Sequence, residues 1–463
     1  MKKTNLFARL LLLTLPLFFI LIGCSKQQQT QGSSANAQQA AVASTNNARV
    51  ITATGGSFNV LTYNVAGLPQ ILSSASTPRD SSTAQIGRLI NACDVVHVQE
   101  DFNYHAYLYD YGNAHPYRSA TSGGAGFGDG LNSLSWFPFD DFARITWNKR
   151  INENALTPKG FTFCRTRIAE GVYIDFYNLH TNAESDAASI AARADNLQQI
   201  SDYISTVSKG NAVVVMGDMN ARYTRDNNVR LFLNVHGMTD PWITLVRNGS
   251  IPVLGDPDIA CPFPNIDNTC EIVDKIYFRS SKYIQLTASG YNVLKTFVNS
   301  SGQQLSDHLP LTVNFSYSLQ QAFDMSDLFG GPHGTPFNDL ETLVASSAPG
   351  SFTIRTGKRV DNVGVTLTSG PALTHGGTGG TAQTLTLQSG EYVSAVTLNE
   401  GQYNGHTRIF YIKLTTNLGR TLAGGTQTSD AVTYTTPAGY KVAGFYGNSG
   451  DEVDKLGLIY TKQ

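Results

Sequence analysis

Eight residues have the types and placement to do chemistry together: Asn64, Glu100, His180, Asp218, Asn220, Asp274, Asp307 and His308. Most stand where an apolar run stops. FNVLTYNV (58–65) reads as an interior strand ending on Asn64, DVVHVQE (94–100) as one ending on Glu100, and VYIDFYNLH (172–180) as one ending on His180. VVVMGDMN (213–220) breaks at Gly217 and delivers Asp218 and Asn220, while SDHLPLTVNF (306–315) places Asp307 and His308 just before a last strand. Asp274 differs, lying inside the apolar stretch VDKIYF. Burying a charge is costly unless something pairs with it. Each residue alone has a bland reading: Asn64 as a turn cap, His180 as a satisfied core histidine, Asp218 and Asn220 as an Asx-turn. A core has no need of so many acids, amides and histidines together. Hard divalent cations take oxygen ligands in near-octahedral geometry, and Glu100, Asp218, Asn220, Asn64 and Asp307 offer them. The histidines add donors or a base, and Asp274 is suited to hold one imidazole in a fixed tautomer. The chemistry this suggests is phosphoryl transfer to water, with a metal cancelling phosphate charge during in-line attack.

The elements that must position these groups alternate strands with helix-period segments. Ile86, Leu89 and Ile90 share one helical face, and Ile190, Ala194, Leu197, Ile200 and Ile204 share another between Asp186 and Val207. Interspersed strands and helices, with some strands adjacent, imply a layered α/β domain with mixed sheets over residues 54–317. A connector at 318–327 follows. From 328 to 463 only short strands with Gly, Thr and Asn turns occur, which implies an all-β domain. At 463 residues the chain has room for two to four domains, and its net charge of -2 argues against a partner held by bulk positive charge. Arg144, Lys149 and Arg150 leave room for a local basic groove.

Lys2, Lys3 and Arg9 precede the largely apolar run Leu10–Ile22, too short for a comfortable membrane span and better suited to a secretory signal. Leu21-Ile22-Gly23-Cys24 resembles a bacterial lipoprotein signal, with a simple signal peptide as the alternative. The expectation is a signal over 1–24, acylation of Cys24, a disordered tether over 25–53, and order from near Phe58. This implies an exported protein held by a lipid anchor at the cell envelope or outer membrane, or released outside the cell. Cys261 and Cys270 bracket the loop PFPNIDNT and are expected to form a disulfide, whereas Cys93 and Cys164 read as free core residues.

Residues 58–315 resemble the endonuclease/exonuclease/phosphatase superfamily through TYNVAG (62–67), VQE (98–100), LHTNAE (179–184), GDMN (217–220), VDKIYF (273–278) and SDHLPL (306–311), in family order. The resemblance implies a four-layer sandwich of two mixed sheets with outer helices. It implies Glu100 as the main Mg²⁺ ligand (Mn²⁺ or Ca²⁺ being possible substitutes) with Asn64 in support and Asp307 as a further ligand. Asp218 would orient or deprotonate the water, Asn220 would hold phosphate or metal, and His308 would contact the phosphate, oriented by Asp274. His180 would stand near the leaving group. LTPKGFTFCRTRI (156–168) and LHTNAESDA are similar to stretches of bacterial sphingomyelinases, so a phospholipid diester leads over DNA as the substrate. No long apolar hairpin of the kind some secreted sphingomyelinases insert into membrane is evident before Ser306.

The region 328–463 resembles jacalin-like lectins, a β-prism of three four-stranded sheets, through FGGPHGTPFND and GFYGNSGDEVDKLGLIY. The loop Gly450–Asp454 implies sugar binding by Asp454, assisted by backbone N–H groups at Asp451 and Glu452 and a backbone group near Gly334. His333 replaces a family glycine, and acids stand at 451 and 452 where an aromatic is frequent. GGTGG (376–380) reads as a turn, and only weakly as a second sugar site. The leading expectation is an exported metal-dependent phosphodiesterase carried by a glycan-binding module, with no obligate protein partner evident. The alternatives are a secreted endonuclease and an adhesin with a degenerate catalytic domain.

Overall fold

The computed structural model describes residues 50–123 and 128–463. The expectations for residues 1–24, Cys24 included, and for 25–49 lie outside the described residues. The tether expected over 25–53 does not take in Val50–Thr52. Val50–Thr52 is a strand paired antiparallel with Ser57–Gly55. Three β-branched residues before a Gly-Gly pair are enough to close a hairpin ahead of Phe58.

Two sheets form the first domain. One runs in the order Ile284–Val293, Leu311–Leu319, Gly55–Asn64, Val95–Gln99, Asn132–Ser135, Tyr117–Arg118. The other runs Asp274–Arg279, Ala212–Asp218, Val172–His180, Gly160–Ala169, Phe139–Thr146. Each contains one parallel pair, Gly55–Asn64 with Val95–Gln99 and Val172–His180 with Ala212–Asp218, among antiparallel neighbours. Strands buried on both faces read as unbroken Val/Ile/Leu runs, as AVVVMGD does. Phe58, Phe176 and Phe315 meet between the sheets, Phe58 stacking on Phe315 at 5.5 Å. Outside them lie the helices Arg79–Leu89 and Ala187–Val207. Asp186 caps the second, accepting from the amides of Ala188 and Ser189. The expected disulfide joins Cys261 to Cys270, with Cα atoms 5.6 Å apart, and Cys93 and Cys164 are free and buried. Among the described residues no helix is long and apolar enough to cross a membrane.

The second domain consists of three sheets. Phe352, Val363, Leu398, Ile412, Phe445 and Leu458, contributed by all three, are buried between them. Alternation along FTIRTGK and its like puts one residue in two inside. The connector expected at 318–327 is not a free linker. Phe323–Met325 pairs with Ile459–Thr461 and so belongs to a sheet of the second domain. Asp327 then clamps back onto the first domain. It accepts from Arg167 Nε and Nη2 at 2.8 and 2.7 Å, from the Gly171 amide at 2.8 Å and from the Tyr173 hydroxyl at 3.3 Å. Lys455 adds a buried ion pair with Asp141.

Burial works against the Asp327 charge, but Arg167, the Gly171 amide and Tyr173 outweigh it and hold its pKa below the usual range. A depressed carboxyl contributes stability that is present above the unfolded value, about 3.9, and is lost as pH falls through the folded value. Asp327→Asn is therefore expected to lower stability by about 1 kcal/mol at neutral pH. The gap from the native protein should close on acidification below about pH 4. Thermal melts across pH check this, and a gap that ignores pH would contradict it.

Candidate active site

Register brings the polar residues together. In the second sheet His180 pairs with Asp218, and Asp218 with Asp274, so three strands end at one place. Gly217 makes this possible, since a Cβ there would overlap the carbonyl of Leu179. In the first sheet Asn64 pairs with Gln99, one residue before Glu100. Glu100 and Asn220 both sit at positive φ, 56° and 46°, a conformation that costs energy outside glycine and gathers at functional sites.

Asn64 links the two sheets. Its Nδ2 donates to Glu100 Oε1 and to Asp218 Oδ2, each at 3.1 Å, while its Oδ1 accepts from the Ala66 amide. Asp218 Oδ1 accepts from the Asn220 amide at 2.9 Å. Its Oδ2 stands 3.4 Å from His180 Nε2 and 3.8 Å from His308 Nε2. His308 Nδ1 meets Asp274 Oδ2 at 2.9 Å. Asp307 is half-buried and accepts from Ser306 Oγ. All eight residues singled out from the sequence thus lie at the strand ends of one site.

The two histidines differ in charge. Burial and the neighbouring Lys159 push His180 down to about 3, so its ring is neutral and its Nε2 accepts a hydrogen bond from the Lys159 ammonium. Burial also opposes charge on His308, but the carboxylates of Asp274 and Asp218 outweigh it and raise its pKa well above the ordinary value. The same imidazoles hold Asp218 below the usual carboxylate range in spite of burial. Burial pushes Glu100 and Asp274 up.

Lys159 is the residue the sequence reading did not assign. It is 8% exposed, and its Nζ donates to Asn154 Oδ1 at 2.8 Å and to His180 Nε2 at 2.9 Å. The signal was a lysine directly before the buried strand Gly160–Ala169, in the LTPKGF stretch.

The carboxylates of Glu100, Asp218, Asp274 and Asp307 outnumber the cations Lys159 and His308. That surplus, carried on oxygen, fits a hard divalent cation. Donor atoms of Asp218, Asp274 and His308 lie within 4.8 Å of one another. Since His308 and Asp274 are already hydrogen-bonded, those three read better as a proton relay than as a ligand set. Glu100, with Asp307 beside His308 in sequence, is the better candidate to hold the ion. Asn64, expected as a ligand, instead turns its Nδ2 to Glu100 and Asp218 and its Oδ1 to the Ala66 amide, so it braces the ligand rather than joining it.

The expected sugar-site residues of the second domain also converge. Gly334 sits at φ 78°, and a Cβ there would overlap the Asp454 carboxylate and the Ser449 backbone. Asp454 is buried, with Oδ1 3.3 Å from Arg408 Nη1. Glu452 is spoken for. Arg359 grips it through Nε at 2.8 Å to both oxygens, and Arg408 reaches it at 3.1 Å. The Arg359 guanidinium lies 3.7 Å from the centre of the Tyr403 ring, so an aromatic does stand beside the loop, brought by another strand. Asp451 is exposed and its backbone packs on Gly377, which places GGTGG against the Gly450–Asp454 loop.

Two protein families match the chain: Endonuclease/Exonuclease/phosphatase family 2 over residues 84–256, and the jacalin-like lectin domain over 326–459. A sphingomyelinase from Mycobacterium tuberculosis is 41% identical over 270 residues, covering 57% of this chain. The chain spans about half of that relative, 53% of its length. Griffithsin from Griffithsia sp. is 32% identical over 133 residues, 28% of this chain and 93% of griffithsin. The crystal structure of sphingomyelinase C from Streptomyces griseocarneus is 18% identical, with a TM-score of 0.38, covering 56% of this chain and 99% of that one. The second domain belongs with the jacalin-like lectins, and the first carries a match to Endonuclease/Exonuclease/phosphatase family 2 over residues 84–256.

Proposed function

We propose that the protein is an exported, Mg²⁺-dependent phosphodiesterase that hydrolyses a phospholipid such as sphingomyelin, and that its lectin domain holds it on glycan-bearing surfaces. The observation that carries this is the complete site, Glu100, Asn64, Asp218, Asn220, His180, Asp274 and His308, within a segment 41% identical to a sphingomyelinase.

A divalent cation held by Glu100, which Asn64 braces, with Asp307 assisting, would neutralise charge on the phosphate. The protein's own groups do the rest. Asp218, ionised and braced by Asn64 and Asn220, accepts the proton of the attacking water. His308, kept protonated by Asp274, stands on the same carboxylate and hydrogen-bonds a phosphate oxygen or returns a proton. Buried Lys159, with neutral His180 accepting from it, lies on the other side of Asp218 and offers a donor to negative charge as it develops. Asn220, at its left-handed position, directs its Nδ2 toward the Thr181 carbonyl at 3.5 Å, next to His180.

A nuclease would need spare cations along a groove. Arg144 instead is committed to Asp129 and the Leu131 carbonyl, and Arg150 to the Thr157 carbonyl. The adhesin alternative is disfavoured by the intact site. Export by the 1–24 segment and anchoring through Cys24 are part of the same proposal.

Choline-phosphate release from sphingomyelin vesicles is expected with Mg²⁺ and not with EDTA, while plasmid DNA stays intact. Glu100→Ala and His308→Ala should each lower the rate at least about 1,000-fold, the loss of roughly 4 kcal/mol of transition-state stabilisation. DNA nicking without lipid hydrolysis would overturn the lipid reading. For the second domain, Asp454→Ala is expected to abolish retention on immobilised glycans and leave hydrolysis of glycan-free vesicles unchanged. Undiminished retention would remove Asp454 from the sugar site.

A further inference from the structure

Scattered surface hydrophobics are ordinary, but crowding of them into one segment is informative. Among the described residues thirteen large hydrophobic side chains are exposed, and five of them, Leu245, Ile251, Val253, Leu254 and Phe263, fall within residues 245–263. Val253 is 62% exposed. This stretch has no helix or strand after Val246, and the next strand begins at Asp274. A loop of that length inside a compact domain usually has a task.

The backbone of the loop is held, so its apolar side chains do not fold inward. The Gly255 amide donates to the Thr224 carbonyl at 2.8 Å, Thr224 Oγ1 to Asp258 at 2.5 Å, and Arg230 to the Pro252 carbonyl at 2.6 Å. The disulfide Cys261–Cys270 closes the segment around Phe263, which stands between two prolines. The fastening points belong to the active site's own supports. Thr224 follows Asn220 by four residues, and Arg225 donates to the Asn220 carbonyl. At the other end Glu271 accepts from the Tyr223 amide at 2.6 Å and leads into Asp274.

Charge narrows the partner. The stretch carries Asp256 and Asp258 against a single cation, Arg247, which is occupied over the Trp242 ring and at the Ser250 carbonyl. Anionic headgroups attract clusters of Lys and Arg, and there is none here. Apolar tips beside a mildly acidic, stiff backbone suit a neutral lipid interface. We propose that residues 245–263 are a docking surface for a zwitterionic phospholipid bilayer, through which the enzyme seats its active site on the lipid. This rests on the reading of the first domain as a lipid phosphodiesterase. It supplies the membrane contact for which the sequence showed no apolar hairpin before Ser306.

The test is flotation of the full chain with glycan-free phosphatidylcholine vesicles in EDTA, comparing the native protein with V253D/L254D and with the conservative V253L/L254I. In parallel, hydrolysis of sphingomyelin vesicles and of bis(p-nitrophenyl) phosphate in solution is measured with Mg²⁺. The aspartate variant is expected to bind vesicles at least about tenfold more weakly, from the lost burial of two apolar side chains. It should lose vesicle hydrolysis in proportion and keep its rate on the soluble diester, while the conservative variant behaves as native. Equal flotation of all three proteins overturns the proposal, and so does flotation that needs added phosphatidylserine. A self-association lost in V253D/L254D, without flotation of the native protein, would assign the loop to a second copy instead. If no protein hydrolyses either substrate, the catalytic reading fails while the flotation result still decides the docking surface.

Discussion

The structure turns on one buried carboxylate. Asp218 sits at the end of a strand with no exposure to speak of, and its charge must be matched on the spot. Four neighbours meet that demand: the amide of Asn64 from the other sheet, the Asn220 backbone, His180 from the parallel strand and His308 across the cleft. Each neighbour is itself positioned by a strand end. If the register of Val172–His180 against Ala212–Asp218 slipped by one residue, the side chain would turn to the opposite face and the charge would lose every partner. The fold's packing and the site's chemistry are therefore constrained by the same pairing. Asn64 has a further part, because it is the bond that ties the ends of both sheets together.

Much of this was legible in the residues. Apolar runs announced the strands because both faces of each sheet are covered, and a polar residue ending such a run has nowhere to be but an edge or a site. The helix from Asp186 was readable in its spacing. Lys159 was harder. A lysine before a strand ordinarily snorkels to water, and only the three-dimensional path shows this one turned inward beside His180. The strand Val50–Thr52 was missed because three residues carry too little pattern to stand out from the polar sequence around them. The connector looked like a linker because Phe323–Met325 takes its partner from the far end of the chain, Ile459–Thr461, which no local signal reveals. The tyrosine beside the sugar loop was invisible for the same reason: Tyr403 and Arg359 come from two different sheets.

The sugar loop shows how a local oddity is resolved at a distance. Glu452 stands where stacking on a ring would be ordinary, yet its charge is absorbed by Arg359 and Arg408, and Arg359 in turn lies on Tyr403. Arginine's planar fork suits both tasks at once, pairing in its plane and stacking on its face. This leaves the Asp454 carboxylate as the acceptor beside Gly334.

The Asp327 clamp and the Lys455–Asp141 pair mean that the two domains share a seam rather than a leash. A leash lets a binding module search a volume around its anchor, and the enzyme then works at an effective concentration that falls as the leash lengthens. A seam removes that search. If the two sites work as proposed, the catalytic mouth meets whatever lies at one fixed offset from a sugar in the lectin loop, so such a molecule would behave as a caliper. On the function proposed above, its yield on a surface would depend on how its two ligands are spaced there, and not on the abundance of either alone.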